Sequence, residues 1–147
     1  MKIEITEMRQ SHLDQMAELE KICFSLPWSR DMLADELSNK HAKYYVAVTE
    51  DGRVAGYIGM HVVLDEGYIT NVATAPEFRR QGIAKALITK VLEYCRSKGM
   101  IYITLEVRES NAGAIALYES FGFRKIGKRA DYYQKPLEDA LIMFLTL

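Results

Sequence analysis

Cysteine and proline are scarce, at two and three in 147 residues. Cys23 and Cys95 belong to no Cys-x-x-Cys pair. That argues against a disulfide framework or a cysteine-based zinc site and fits two buried thiols in a reducing compartment. Excess charge of one sign is missing too. The net charge is −1, so nothing marks the whole surface for nucleic acid or an anionic membrane. The apolar tail Ala140–Leu147 is far too short to cross a bilayer. The N-terminus alternates like a strand and shows no leader pattern. Repeats, low-complexity stretches and linkers are lacking, so one domain over residues 1–147 is expected. What is present is 49% apolar residues, enough for a real core. The expectation is a cytoplasmic monomer or weak dimer without metal, nucleic-acid or membrane partners.

The chain is organised around Asn71–Lys85. Asn71–Ala75 read as extended, with Val72 and Thr74 β-branched. Pro76 stops the strand because it has no N–H for a ladder. Gln81–Lys98 read as a helix with an apolar stripe of Ile83, Leu87, Val91 and Cys95, widened by Ile88 and Leu92. Its entrance reads Arg79-Arg80-Gln81-Gly82-Ile83-Ala84. A helix start offers unpaired N–H groups and positive dipole charge. Gly82 and Ala84 admit close approach, and Arg79, Arg80 and Lys85 add cationic charge. A diphosphate cradle is one reading; a solvated basic turn is the other. The pattern is neither a P-loop nor the Gly-x-Gly-x-x-Gly fingerprint.

Around this segment the reading is as follows. Lys2–Met8 form a strand. A helix follows, with Ser11 as N-cap and an apolar face of Leu13, Met16, Leu19, Ile22 and Cys23. Phe24–Ser29 break it, and Ser29 caps a second short helix carrying Met32, Leu33 and Leu37. Phe24 and Trp28 make either a packed corner or a substrate-pocket wall. Lys43–Glu50 and Arg53–Leu64 form a hairpin about Asp51-Gly52. Gly56 and Gly59 inside the return strand indicate close approach of other backbone. Asp65–Gly67 turn into the strand Tyr68–Ala75. After Gly99 closes the central helix, Ile101–Val107 alternate as a strand. Glu106 in its middle is unusual, since Glu has poor strand propensity. It is either a solvated or Arg108-paired residue or a general base. Asn111–Phe121 form a short helix with Asn111 and Tyr118 on one face. Asn111 can be a simple N-cap and Tyr118 a core aromatic. Phe123–Ala130 and Ala140–Leu147 are the last strands, joined by a polar loop holding Asp131, Tyr132, Tyr133 and Pro136.

The order β-α-α-β-β-β-α-β-α-β-β resembles the GNAT superfamily of N-acetyltransferases. That implies an α/β (α+β) fold with a mixed, mostly antiparallel sheet of about seven strands and four helices. Arg79, Gly82 and Ala84 occupy the defining places of that superfamily's Arg/Gln-x-x-Gly-x-Gly/Ala loop. Leu105-Glu106-Val107-Arg108, Ser110-Asn111, Ala116-Leu117-Tyr118-Glu119 and Phe121-Gly122-Phe123 sharpen the resemblance toward the ribosomal protein alanine N-acetyltransferases, over nearly the whole chain. Phe24–Ser29, Tyr132-Tyr133 and Glu138-Asp139-Ala140 fit the same group. The resemblance implies acetyl-CoA as donor. Val72, Ala73 and Thr74 would pair with its pantetheine arm. Arg79, Arg80, Gln81, Gly82, Ile83, Ala84 and Lys85 would hold its pyrophosphate, with Asn111 at the pantetheine end. Glu106 would be the base and Tyr118 the acid. Phe24, Trp28, Tyr68, Tyr132 and Tyr133 are candidates for acceptor contact. Tyr68 departs from a Glu common among relatives, and Leu137 from a common Gly.

Direct transfer agrees with the lack of a nucleophile motif. The implied acceptor is a protein N-terminal α-amine, a ribosomal protein beginning with alanine. A lysine or small-amine acetyltransferase, and a non-catalytic acyl-CoA sensor, are the alternatives.

Overall fold

A computed structural model describes residues 2–147. In chain order the elements are β1 Ile3–Glu7, α1 Leu13–Cys23, α2 Arg30–Ser38, β2 Ala42–Thr49, β3 Val54–Val63, β4 Glu66–Thr74, α3 Ile83–Ser97, β5 Tyr102–Arg108, α4 Ala112–Ser120, β6 Arg124–Tyr133 and β7 Glu138–Thr146. The strands form one seven-stranded sheet in the order β1-β2-β3-β4-β5-β7-β6. Only β4 and β5 run parallel; the other neighbours are antiparallel. Parallel neighbours need a crossover, and α3 supplies it. The expected architecture is thus the observed one.

β3 is buried along most of its length, as a strand covered on both faces must be. Alternate residues serve two helical layers. The Tyr57 hydroxyl meets Glu20 of α1, while Met60 Sδ lies 3.6 Å from Cys95 Sγ of α3. The predicted stripe of α3 is the buried one: Ile83, Leu87, Ile88, Val91, Leu92 and Cys95. Gly99, at φ +68°, closes that helix as expected.

One irregularity shapes the molecule. β3 and β4 pair Gly59 with Asn71 and then Met60 with Ile69, leaving Thr70 as the extra residue of a bulge. A bulge bends its strand. The β4–β5 ladder runs for four pairs, from Glu66↔Tyr102 to Ile69↔Leu105, and stops there. Beyond it Asn71–Thr74 and Glu106–Arg108 part, and the sheet opens in its middle. The two strand glycines sit opposite this segment. A Cβ on Gly56 would fall 2.6 Å from the Ala73 carbonyl oxygen, and one on Gly59 2.5 Å from Asn71 Oδ1.

Several local expectations are corrected. Ser11 does not cap α1; it lies in a 3-10 turn whose entrance is fixed by the Arg9 N–H donating to His12 Nδ1 at 3.0 Å. The buried stripe of α1 takes Glu20, 1% exposed, while Ile22 is 59% exposed. Leu13, Met16, Ala17 and Glu20 have the i, i+3, i+4, i+7 spacing of one face; counting only apolar residues rotated that face towards Ile22. Ile101 precedes β5 and is exposed. Glu66 and Gly67 already belong to β4. Asp131, Tyr132 and Tyr133 are not in a loop, because β6 continues through a register shift to Tyr133.

Candidate active site

The opened sheet is the floor of a cleft of about 1070 Å³. At one end the chain leaves β4 and makes a single 3-10 turn, Pro76–Phe78. It enters α3 through Arg80 at φ +64° and Gly82 at φ +77°. The helical ladder opens with the Ala86 N–H donating to the Gly82 carbonyl at 3.0 Å. The N–H groups of Ile83, Ala84 and Lys85 therefore lie in the first turn, which has no helical acceptors. Arg79, Arg80, Gly82, Ile83, Ala84 and Lys85 all line the cleft. Nothing lies within 4 Å of where a Gly82 Cβ would sit. Gln81 is the exception: its side chain turns back to the Glu77 carbonyl, 3.4 Å away, and does not line the cleft.

Val72, Ala73 and Thr74 run from this end along the parted edge. β3 occupies the other edge of β4, so β4 presents backbone to the cleft with no strand opposite. Cys23 Sγ stands 3.6 Å from the Thr74 carbonyl, and burial pushes its thiol up.

Glu106 stands where β5 leaves β4. Its side chain is 8% exposed, and Arg129 Nε lies 3.7 Å from Oε2. The Tyr68 hydroxyl donates to Oε1. Burial, then the bond to Glu106, then Tyr132 push the Tyr68 phenol far above its ordinary range, so it stays a donor at any working pH. Arg108, two residues on, turns elsewhere. It donates to Glu138 at 3.2 Å, to the carbonyls of Pro136 and Gln134 at 3.0 Å each, and to Ser25 Oγ at 3.3 Å. It also stacks 4.5 Å from the Tyr133 ring centroid. Glu138 is held below the usual carboxylate range by hydrogen bonds from Ser110 and then by Arg108. Arg108 thus has its own carboxylate, and the alternative that Glu106 serves it falls away.

Tyr118 on α4 is 7% exposed, edge-on to Phe123 at 5.7 Å, and lines the cleft. Burial pushes its phenol up to about 12. Asn111 is the N-cap of α4, accepting from the Ala114 N–H at 3.2 Å, and it lines the cleft as well. Phe24, Ser25, Leu26 and Trp28 of the α1–α2 connection face Tyr132, Tyr133 and Gln134 across the far end. Ser25 Oγ joins the two walls by donating to the Gln134 carbonyl at 3.1 Å. Tyr68 is the one candidate for acceptor contact outside the lining; it is joined to the cleft through Glu106. Among the described residues no group of His, Cys, Asp and Glu has the arrangement of a metal site, and no helix is long and apolar enough to cross a membrane.

A cationic helix start, an open strand edge and a buried-sided carboxylate therefore share one cleft. The sequence model of the acetyltransferase (GNAT) family matches residues 13–123. This chain belongs to the GNAT acetyltransferase family. It is 34% identical over 145 residues to the [ribosomal protein bS18]-alanine N-acetyltransferase of Escherichia coli (strain K12), covering 97% of each chain. A Bacillus subtilis (strain 168) protein, named as a candidate for the same activity, is 38% identical over 146 residues, covering 99% of this chain and 97% of the relative. The crystal structure of the Escherichia coli ribosomal-protein-S18-alanine N-acetyltransferase superposes with a TM-score of 0.90 at 33% identity, covering 99% of this chain and 94% of that one.

In this GNAT acetyltransferase, sequence reasoning missed three contributors to the site. Glu20 is absent from the predicted apolar face, although its spacing from Leu13 marks it as inward. Arg108 was weighed only against its neighbour Glu106. Asn71 was read as plain strand, although it follows the bulge and lines the cleft.

Proposed function

We propose that this acetyltransferase moves an acetyl group from acetyl-CoA to the N-terminal α-amine of a protein, a ribosomal protein beginning with alanine, in the cytoplasm. The observation that carries the reading is the position of Glu106: a carboxylate oriented by Tyr68, in the same cleft as a cationic helix start. The names of the relatives point to the same acceptor. The cradle suits a diphosphate, because Gly82 leaves its space open and the first-turn N–H groups face it. Arg79, Arg80 and Lys85 add charge. Val72–Thr74 offer a strand edge to an extended arm.

Acetyl-CoA supplies an acetyl thioester. The chain's residues do the rest. Only a neutral amine attacks, so Glu106 takes the ammonium proton, directly or through water. An α-amine has a pKa of about 7.7–8.0 against about 10.4 for lysine, which suits a single carboxylate base near neutral pH. Tyr118, which lines the same cleft, would serve the leaving sulfur. A phenol pushed up to about 12 holds its proton against a thiol of ordinary pKa, about 8.5. Its service would therefore be chiefly a hydrogen bond to the developing thiolate, which takes up the second proton that the attacking nitrogen sheds as the amide forms. Phe24, Trp28, Tyr132 and Tyr133 wall the acceptor end.

Thiol release tests the reading. An alanine-initiated peptide is expected to be acetylated, and the same peptide with a blocked N-terminus to be inert. Equal rates on a blocked, lysine-containing peptide would favour a lysine acetyltransferase. Thermal stabilisation by acetyl-CoA without turnover on any amine would favour a sensor.

A further inference from the structure

Glu20 takes no part in the proton transfers above, yet it is buried to 1% exposure and lines the cleft. Its carboxylate accepts three hydrogen bonds: from the Trp28 backbone N–H at 2.8 Å, from the Tyr57 hydroxyl, and from Asn71 Nδ2 at 3.3 Å. The three donors come from three separate parts of the structure: the α1–α2 connection, β3, and β4 just past its bulge. The network continues. Thr70 Oγ1 donates to Asn71 Oδ1 at 2.8 Å and meets the Tyr44 hydroxyl at 3.2 Å. Gly59 leaves the room for it, since a Cβ there would strike Asn71. Desolvation pushes the Glu20 carboxyl up, while Trp28 and Asn71 pull it down. Among the described residues no cation bonds to it. A buried charge of this kind is weak evidence for stability, because an apolar residue of the same volume often serves the core as well. Its partners indicate a different use. Pro27 has no N–H to give, so the bond from Trp28 to Glu20 ties the middle of the connection to the body of the protein.

We propose that Glu20 is a positioning residue for the acyl acceptor: it fixes the wall made by Phe24, Leu26 and Trp28 against β4 beyond the bulge, and so sets where the acceptor amine lies relative to Glu106. This rests on the acceptor end assigned above. The pyrophosphate cradle is built on another element, the start of α3, and none of the Glu20 hydrogen bonds reaches it.

The test is the split between two Michaelis constants, measured with an α-amine peptide and with acetyl-CoA. Glu20→Met keeps length and volume and removes the acceptor oxygens. It is expected to raise KM for the peptide by about ten-fold or more and leave KM for acetyl-CoA within about two-fold, the pattern of lost acceptor binding. Glu20→Gln keeps an oxygen for the Trp28 N–H and is expected to stay within about three-fold of wild type. Tyr57→Phe removes one donor from a residue that does not line the cleft, and answers the question should Glu20→Met fail to fold. It is expected to raise the peptide KM by about three-fold, with KM for acetyl-CoA unchanged. A parallel rise in both constants, or a lower Tm with the peptide KM untouched, would make Glu20 a plain core residue. A wild type that turns over no α-amine peptide would defeat the acceptor reading instead. The Glu20 proposal would then be scored by the same split on whichever amine is acetylated.

Discussion

The Tyr68 hydroxyl donates to Glu106 across the last turns of the β4–β5 ladder. Tyr68 pairs with Thr104, and Glu106 follows the final pair, so the bond ties the two strands at the point where they part. Tyr68→Phe is expected to leave the fold and the affinity for acetyl-CoA intact. It should lower kcat by about ten-fold, the scale of one hydrogen bond to a charged group. Steady-state kinetics with both substrates checks it; an unchanged kcat would leave the carboxylate oriented by Arg129 alone.

Glu106→Gln keeps an oxygen for Tyr68 and removes the base. The expected loss in kcat/KM is about 10²–10⁴-fold. The loss should shrink as pH rises through the titration of the acceptor amine, because solution then supplies the neutral form. Because Arg108 is paired with Glu138, Tm should barely move. A melting curve and a pH–rate profile on the one variant decide it. A destabilised enzyme with an unaltered profile would remove Glu106 from catalysis.

Gly82→Asp tests the cradle. The backbone sits at φ +77°, where a side chain is strained, and the added group would project into open space and collide with nothing. Strain on the order of 1 kcal/mol lowers stability in the free and bound protein alike, while a methyl takes part of the open space, so Gly82→Ala should weaken acetyl-CoA only modestly. Asp adds charge repulsion at the helix start and should weaken it by at least about ten-fold more. Calorimetry on both folded variants measures this; equal affinities for Ala and Asp would mean that no anion binds there.

Tyr118→Phe should keep acetyl-CoA affinity within a few-fold and lower kcat by about 10²-fold, the lower end for a lost transition-state donor. A pH effect accompanies it. The phenol sits at about 12 in the folded protein against about 10 unfolded. Its contribution is full below pH 10 and is lost as pH rises towards 12, about 2–3 kcal/mol in all. Urea unfolding at pH 9 and 11 should show a smaller alkaline loss in the Phe variant than in wild type.

The sequence made some parts of this molecule legible and others not, for physical reasons. Local geometry was readable. The stripe of α3, the Ser29 cap, with its hydroxyl accepting from the Met32 N–H at 3.2 Å, and the Asn111 cap each depend on residues a turn or two apart. Glu106 was visible as an exception to strand propensity. Long-range pairing was not readable. Nothing near Tyr68 in the chain announces that register will bring it to Glu106, 38 positions away. Arg108 finds Glu138 thirty positions on. Glu20 was hidden because hydrophobic periodicity treats every carboxylate as outward, whereas its donors lie on β3, β4 and the following connection. The last turn of β6 was missed because Asp131 is a turn-former by type, while its N–H is held by Asp139 Oδ1 at 2.9 Å.

The bulge at Thr70 has a mechanical meaning. β1–β4 and β5–β7 are two leaves, each laid down by one half of the chain, and their common spine is the four-pair ladder from Glu66 to Ile69. At the open margin the leaves are clasped again, by Arg108 of the second leaf holding Ser25 of the first. Between spine and clasp no ladder pair joins the leaves. Any ligand laid along that gap becomes, while it stays, part of the binding that holds the two halves together.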